Sequence, residues 1–162
     1  MRPWLLSELE IPLCAHLADP DCAVHGVSID SRSTRAGDLF IAINGDNFDG
    51  HNYLGQAERA GAVAALISAE RETSLPVLKV DDCQNALGLL GAYNRSDFTG
   101  TLVAITGSAG KTSVKNMVRA VLSQKGATLA TRGNFNNEIG VPLTLLELAP
   151  EHQFAVVEMG AA

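Results

Sequence analysis

Apolar residues along this chain fall into two blocks separated by a polar stretch near residue 95. In the first block, runs rich in Val and Ile at 24–30 and 39–43 end in Asp, Asn and Gly, which predicts two strands closed by turns. Residues 53–60 predict a helix, the apolar runs 63–67 and 77–80 two more strands, and Asp82 is placed to cap a helix reaching about Tyr93. An α/β unit over the first 95 or so residues follows. The polar segment Asn94-Arg95-Ser96-Asp97 marks the expected boundary, so the chain divides into 1–97 and 98–162.

The second block carries a denser pattern. Residues 101–106 form a short apolar run of the kind buried in parallel sheets, interrupted by Gly107-Ser108-Ala109-Gly110 before a helical pattern begins. In that helix Val114, Met117, Val118, Val121 and Leu122 fall at i, i+3, i+4, i+7 and i+8, one apolar stripe, with Gly126 as its stop. Leu129 lies in a further strand, residues 142–148 carry a helix with Pro near its first turn, and residues 154–158 form another strand. A doubly wound sheet needs more elements than these, so the expected fold is α/β throughout: a first α/β domain, then the opening part of a P-loop-type parallel-sheet domain.

Composition narrows the function. With 46% apolar residues the chain buries a core, while its net charge of -6 argues against general binding to nucleic acid or anionic membrane. Residues 1–13 are broken by Glu8, Glu10 and Pro12, unlike a secretory leader, and no apolar run reaches membrane-spanning length. Cys14, Cys22 and Cys83 lie far apart without a C-x-x-C, which suits reduced thiols in a cytoplasmic protein. Against the acidic whole, residues 98–137 hold Lys111, Lys115, Arg119, Lys125 and Arg132 and no Asp or Glu, a local field suited to a triphosphate. Lys125 and Arg119 also fit a solvated helix face.

The chemistry concentrates at Gly107, Ser108, Ala109, Gly110, Lys111, Thr112 and Ser113. Successive amides in a glycine loop that opens a helix cradle phosphate, Lys111 reaches the β and γ phosphates, and the Thr112 hydroxyl suits Mg²⁺. The loop is shorter than the general G-x-x-x-x-G-K-[ST] template, whose first glycine would fall at Ile105. Glu158, at the end of a strand expected to run parallel to the loop's strand, is the second candidate for Mg²⁺, directly or through water.

These residues resemble the Mur ligase family over the whole chain. The likeness rests on Gly-Val-Ser-Ile-Asp-Ser-Arg at 26–32, Ala-Gly-Asp-Leu-Phe at 36–40, Asp-Gly-His at 49–51, the loop at 106–113, Asn-Phe-Asn-Asn-Glu-Ile-Gly-Val-Pro-Leu-Thr at 134–144 and Val-Glu-Met-Gly-Ala at 157–161. The shortened loop is normal for that family, and Ser108-Ala109 with Lys115 resembles the branch that adds D-alanyl-D-alanine to UDP-N-acetylmuramoyl-tripeptide. The resemblance implies an ATP- and Mg²⁺-dependent ligase in which the tripeptide carboxylate attacks the γ-phosphate and the dipeptide amine opens the resulting acyl phosphate. It also implies that Ser31, Arg32, the Asp46-Asn47-Phe48 turn and His51 hold the UDP end, while Asn134 and Asn136 face the sugar-peptide and Asn137, with Lys111, serves catalysis. A monomer is expected, and, with the family's remaining metal ligands and third domain outside these 162 residues, no turnover by them alone. The competing readings are a P-loop phosphotransferase or NTPase, which leaves residues 24–55 without a task, and a non-catalytic nucleotide-sugar-binding module.

Overall fold

The computed structural model describes residues 1–45 and 48–160, and they divide into two compact units: residues 2–86, and the residues from Leu87 onward with Met1. In chain order the elements are β1 (Trp4–Leu5), α1 (Leu6–Leu13), β2 (His16–Leu17), β3 (Ala23–Val24), β4 (Gly26–Ser28), β5 (Asp38–Ile41), β6 (Asn44–Gly45), β7 (Phe48–Asp49), a 3₁₀ turn (Gly50–Tyr53), α2 (Leu54–Ala60), β8 (Ala64–Ile67) and β9 (Val77–Lys79). There follow α3 (Cys83–Ser96), β10 (Thr101–Ile105), α4 (Lys111–Leu122), β11 (Thr128–Ala130), α5 (Gly140–Leu146) and β12 (Phe154–Glu158).

The first unit is built on a five-stranded sheet in the order β2-β9-β8-β5-β4, parallel except where β2 meets β9. Its central strands β5 and β8 are buried at every position, as strands covered on both faces must be. Phe40, Ala42, Ala65 and Ile67 pack with Leu54 and Ala57 of α2. The run 24–30, read as one strand, is in fact split. Val24 of β3 pairs with Trp4 of β1, whereas β4 joins the main sheet, because the His25 N–H turns to the Gly37 carbonyl at 2.8 Å between them. Helix α1 was not foreseen, although Leu6, Leu9 and Leu13 form its buried face; Pro12 lies in its last turn, two residues before the left-handed Cys14 ends the helix.

Asp82 does start α3, accepting the Asn85 N–H at 2.6 Å. The helix then continues through the polar residues expected to be a linker. The buried Asn94 amide donates to the carbonyls of Leu145 (2.8 Å) and Leu148 (3.0 Å), and a Cβ on Gly91 would lie 2.9 Å from Cα of Pro142. The last half of α3 therefore packs as part of the second unit, and the compact units divide at Ala86/Leu87, inside the helix.

The second unit holds a parallel sheet in the order β10-β12-β11, with Leu129, Leu148 and Ala155 at its core against Phe98, Leu102 and Leu145. Two expectations need correction here. The run 101–106 is not a fully buried strand: among the described residues β10 pairs on one side only, and burial is complete only at Ile105. Nor is the whole apolar stripe of α4 buried, since Val114, Met117 and Val121 are 47%, 67% and 61% exposed. The helix is rotated so that Lys115 is its buried residue, with Val118 and Leu122 half-buried on the same face. Among the described residues no helix is long and apolar enough to cross a membrane.

Candidate functional site

In the second unit the chain leaves β10 at Ile105, crosses an exposed loop at 106–110 and enters α4 at Lys111. Gly107 (φ 149°) and Gly110 (φ 74°) hold conformations that disfavour a side chain, and Gly110 sits at the helix N-cap in the left-handed region. The first amides of α4 have no carbonyl a turn earlier to bond, which leaves them for a ligand. Lys111 reaches back along the loop, its Nζ donating to the Gly107 carbonyl at 2.7 Å.

Register then places a carboxylate beside this loop. Ile105 of β10 pairs with Glu158 of β12, so Glu158 stands at the same sheet edge from which the loop departs. Its side chain is 2% exposed and meets Thr112 and Lys115 of α4 and Asn136 of the loop before α5. Oε1 accepts from the Thr112 hydroxyl at 3.2 Å and from the Asn136 amide at 2.9 Å, while the Glu158 N–H donates to Oγ1 of Thr131 at 2.9 Å. Oε2 lies 3.3 Å from Nζ of Lys115, close enough to pair as ions yet without hydrogen-bond alignment, and has no other partner among the described residues. Burial pushes the Glu158 carboxyl up, but contacts from Asn136, Lys115 and Thr112 outweigh it and hold the group below the ordinary Glu range. A carboxylate kept charged in the interior, next to a hydroxyl that donates to it and keeps its own lone pairs free, is a hard-oxygen set that fits Mg²⁺. Because Glu158 is so buried, the accessible member of the pair is Thr112, which is exposed. A bound Mg²⁺ would be held on the Thr112 side, with Glu158 orienting that hydroxyl.

The asparagines divide. Asn136 joins the carboxylate cluster, and its carbonyl also accepts the Gly160 N–H at 2.6 Å. Asn137 precedes α5 instead: its Oδ1 accepts the Gly140 N–H at 2.8 Å, which leaves its amide nitrogen as a donor for a ligand. Asn134 is exposed, and its carbonyl accepts the Asn136 N–H at 2.7 Å. Lys115 and Thr131 are the members of the cluster that no sequence motif pointed to as site residues; a buried lysine on a helix with an otherwise apolar stripe is a signal visible only once the helix is docked.

The first unit forms a cavity of about 420 Å³ lined by Asp30, Ser31, Arg32, Phe48 and Tyr53, among others. Ser31 is buried, and Phe48 and Tyr53 expose their rings at 54% and 44%. The Arg32 guanidinium grips Asp30 at 2.6 Å and holds its carboxyl down at about 2, and the Arg32 N–H closes the turn onto the same carboxylate. The Ser28 and Thr34 hydroxyls, 2.9 Å apart, tie the two ends of this loop. Tyr53 was missed by the sequence reading; an exposed aromatic opening a helix was the available clue. Asp46 and Asn47 lie outside the described residues, between β6 and β7.

His51 is a correction. Its ring is buried and does not line the cavity: Nδ1 meets Asp49 at 2.6 Å, and Nε2 accepts the N–H groups of Ser68 (3.1 Å) and Ala69 (3.3 Å). Both nitrogens are spent on the protein, so His51 positions the loop after β7 against the end of β8 and has no atom left for a ligand.

Fold and loop together define an α/β protein whose second unit opens on a P-loop-type phosphate site. The Mur ligase family catalytic domain matches residues 23–120 and the Mur ligase middle domain residues 105–162, and the chain belongs to the Mur ligase family. It is 47% identical over 156 residues to the UDP-N-acetylmuramoyl-tripeptide--D-alanyl-D-alanine ligase of Escherichia coli (strain K12), covering 96% of this chain and 34% of the relative. A crystal structure of MurF from Acinetobacter baumannii superposes with a TM-score of 0.92 at 38% identity, over 99% of this chain and 36% of that one. MurF ligase from Thermotoga maritima, solved in complex with ADP, gives a TM-score of 0.77 at 33% identity, over 85% and 32%. The chain thus spans about a third of the length of these relatives.

Proposed function

We propose that the protein carrying this chain is an ATP-dependent, amide-forming ligase of peptidoglycan precursor synthesis, working in the cytoplasm and adding D-alanyl-D-alanine to UDP-N-acetylmuramoyl-tripeptide. The observation that carries the reading is the Thr112–Glu158–Asn136 cluster at the mouth of the glycine loop, since a phosphate loop with a charged carboxylate behind its hydroxyl is what a metal-nucleotide site requires. The relatives' names supply the substrates.

In this reading the loop amides at 107–113 and Lys111 bind the β and γ phosphates, and Thr112 is the residue that would hold Mg²⁺, which spreads the charge of the transferring phosphoryl group when bound. The tripeptide carboxylate oxygen forms a bond to the γ-phosphorus as the bond to ADP breaks. The dipeptide amine then forms the amide bond and inorganic phosphate leaves, the amine proton passing to solvent or base. Asn137 contributes its amide nitrogen, as a donor to a phosphate or substrate oxygen. The cavity of the first unit takes the UDP end: Phe48 and Tyr53 offer faces for the uracil, and Ser31 and Arg32 offer polar contacts.

Calorimetry on the whole protein tests this. Lys111→Ala is expected to weaken binding of a non-hydrolysable ATP analogue and leave UDP-muramoyl-tripeptide binding intact, and Ser31→Ala to do the reverse. If the two variants act alike, or neither acts, the assignment of one nucleotide to each unit is wrong.

A further inference from the structure

Lys115 is a lysine whose side chain is 5% exposed, one turn into α4, and its ammonium lies between two inner oxygens. It donates to the Gly133 carbonyl at 3.2 Å and stands 3.3 Å from Oε2 of Glu158, the carboxylate oxygen that no hydrogen bond satisfies. A carboxylate and a backbone carbonyl converging on one point are the donors a hard cation uses. The protein has put its own cation there. Gly133, at φ 51°, belongs to the loop that carries Asn134, Asn136 and Asn137, so the same ammonium ties that loop to the carboxylate.

The charge balance gives this arrangement a consequence. Residues 98–137 supply no carboxylate, and no cluster of three or more His, Cys, Asp or Glu that could hold a metal occurs among the described residues. Glu158, already paired with Lys115, offers little net charge to a free divalent ion, while Lys111 adds a positive charge in the adjoining loop. A nucleotide's phosphates reverse that balance.

We propose that Lys115 is a positioning residue that acts as a tethered cation: it fills the inner, oxygen-lined face of Glu158, so that a free divalent ion cannot settle there and the metal is taken on the Thr112 side together with the nucleotide phosphates. This rests on the phosphate-site reading above.

The test is Mn²⁺ binding to the nucleotide-free whole protein, followed by electron paramagnetic resonance. Wild type is expected to bind no Mn²⁺ at this site below millimolar concentration, Lys115→Met to bind about tenfold more tightly or better, and Lys115→Met/Glu158→Gln to lose that gain. Tight Mn²⁺ binding by nucleotide-free wild type, no gain in Lys115→Met, or a gain that survives Glu158→Gln each overturns the proposal. A purely structural lysine would lower the melting temperature of Lys115→Met without moving its Mn²⁺ affinity. If Lys115→Met does not fold by itself, millimolar Mn²⁺ is expected to restore folding by mass action, and failure to do so counts against the proposal. Failure of the ATP analogue to bind wild type in the presence of Mn²⁺ would instead sink the phosphate-site reading.

Discussion

The two units build the cavity of the first and the loop cluster of the second from opposite materials. In the first, the cavity is assembled from neighbours in sequence: Asp30, Ser31 and Arg32 lie in one turn, Phe48 and Tyr53 five residues apart, and the ion pair that shapes the turn spans two residues. Charge there is exposed, Arg32 being 82% exposed, and the cavity is otherwise lined by rings and a buried hydroxyl. In the second unit the groups are distant in sequence and centre on a buried ion pair: Lys115 of α4 with Glu158 of β12, joined by Thr112 of α4 and Asn136 from a loop. A base can be held by shape and stacking, whereas a triphosphate with its metal needs charges whose sign and spacing are fixed before the ligand arrives.

The contrast can be broken at its strongest point. Glu158→Gln leaves Lys115 buried without a counter-charge and is expected to cost about 3–5 kcal/mol, read by urea denaturation. A loss below about 1 kcal/mol would show that the cluster is not the stiff, desolvated device described here. Next in size, Lys111→Ala should weaken ATP-analogue binding about 100-fold, roughly 2.8 kcal/mol, by calorimetry.

Smaller effects sharpen the first unit. Tyr53→Ala is expected to cost roughly 1–3 kcal/mol of affinity for UDP-muramoyl-tripeptide if its ring stacks the base. An unchanged dissociation constant would leave Phe48 as the ring that matters. Smallest of all, Arg32→Ala should return the Asp30 carboxyl, followed by NMR titration, from about 2 toward the ordinary value of about 3.9. Since folding lowers the Asp30 value, its contribution is present above about pH 4 and lost as the pH falls toward 2. With Arg32 as exposed as it is, the variant should lower the melting temperature only slightly at neutral pH and not at all near pH 2.

Legibility followed the same divide. Strands β5, β8 and β12 were readable because a buried parallel strand is a nearly unbroken apolar run, and the glycine loop because only certain residues tolerate its backbone. The linker at 94–97 misled because Asn94 is polar yet buried, its two amide bonds made to carbonyls some fifty residues later. His51 misled in the same way: histidine next to Asp and Gly reads as a ligand group until both nitrogens are found occupied from 49 and from 68–69.

By itself, the order of residues determined the α/β class, the glycine loop between β10 and α4 with Lys111 and Thr112 at the helix start, and an earlier α/β unit ahead of it, because each depends on contacts within a few residues or on simple periodicity. Tertiary structure decided the rest: that α4 turns Lys115 inward and leaves Val114, Met117 and Val121 uncovered, and that Glu158 is a buried, ion-paired carboxylate behind Thr112. The register of β10 against β12 and the docking of one helix on them place these charges within ångströms of each other, and no local pattern encodes a distance between residues more than forty positions apart.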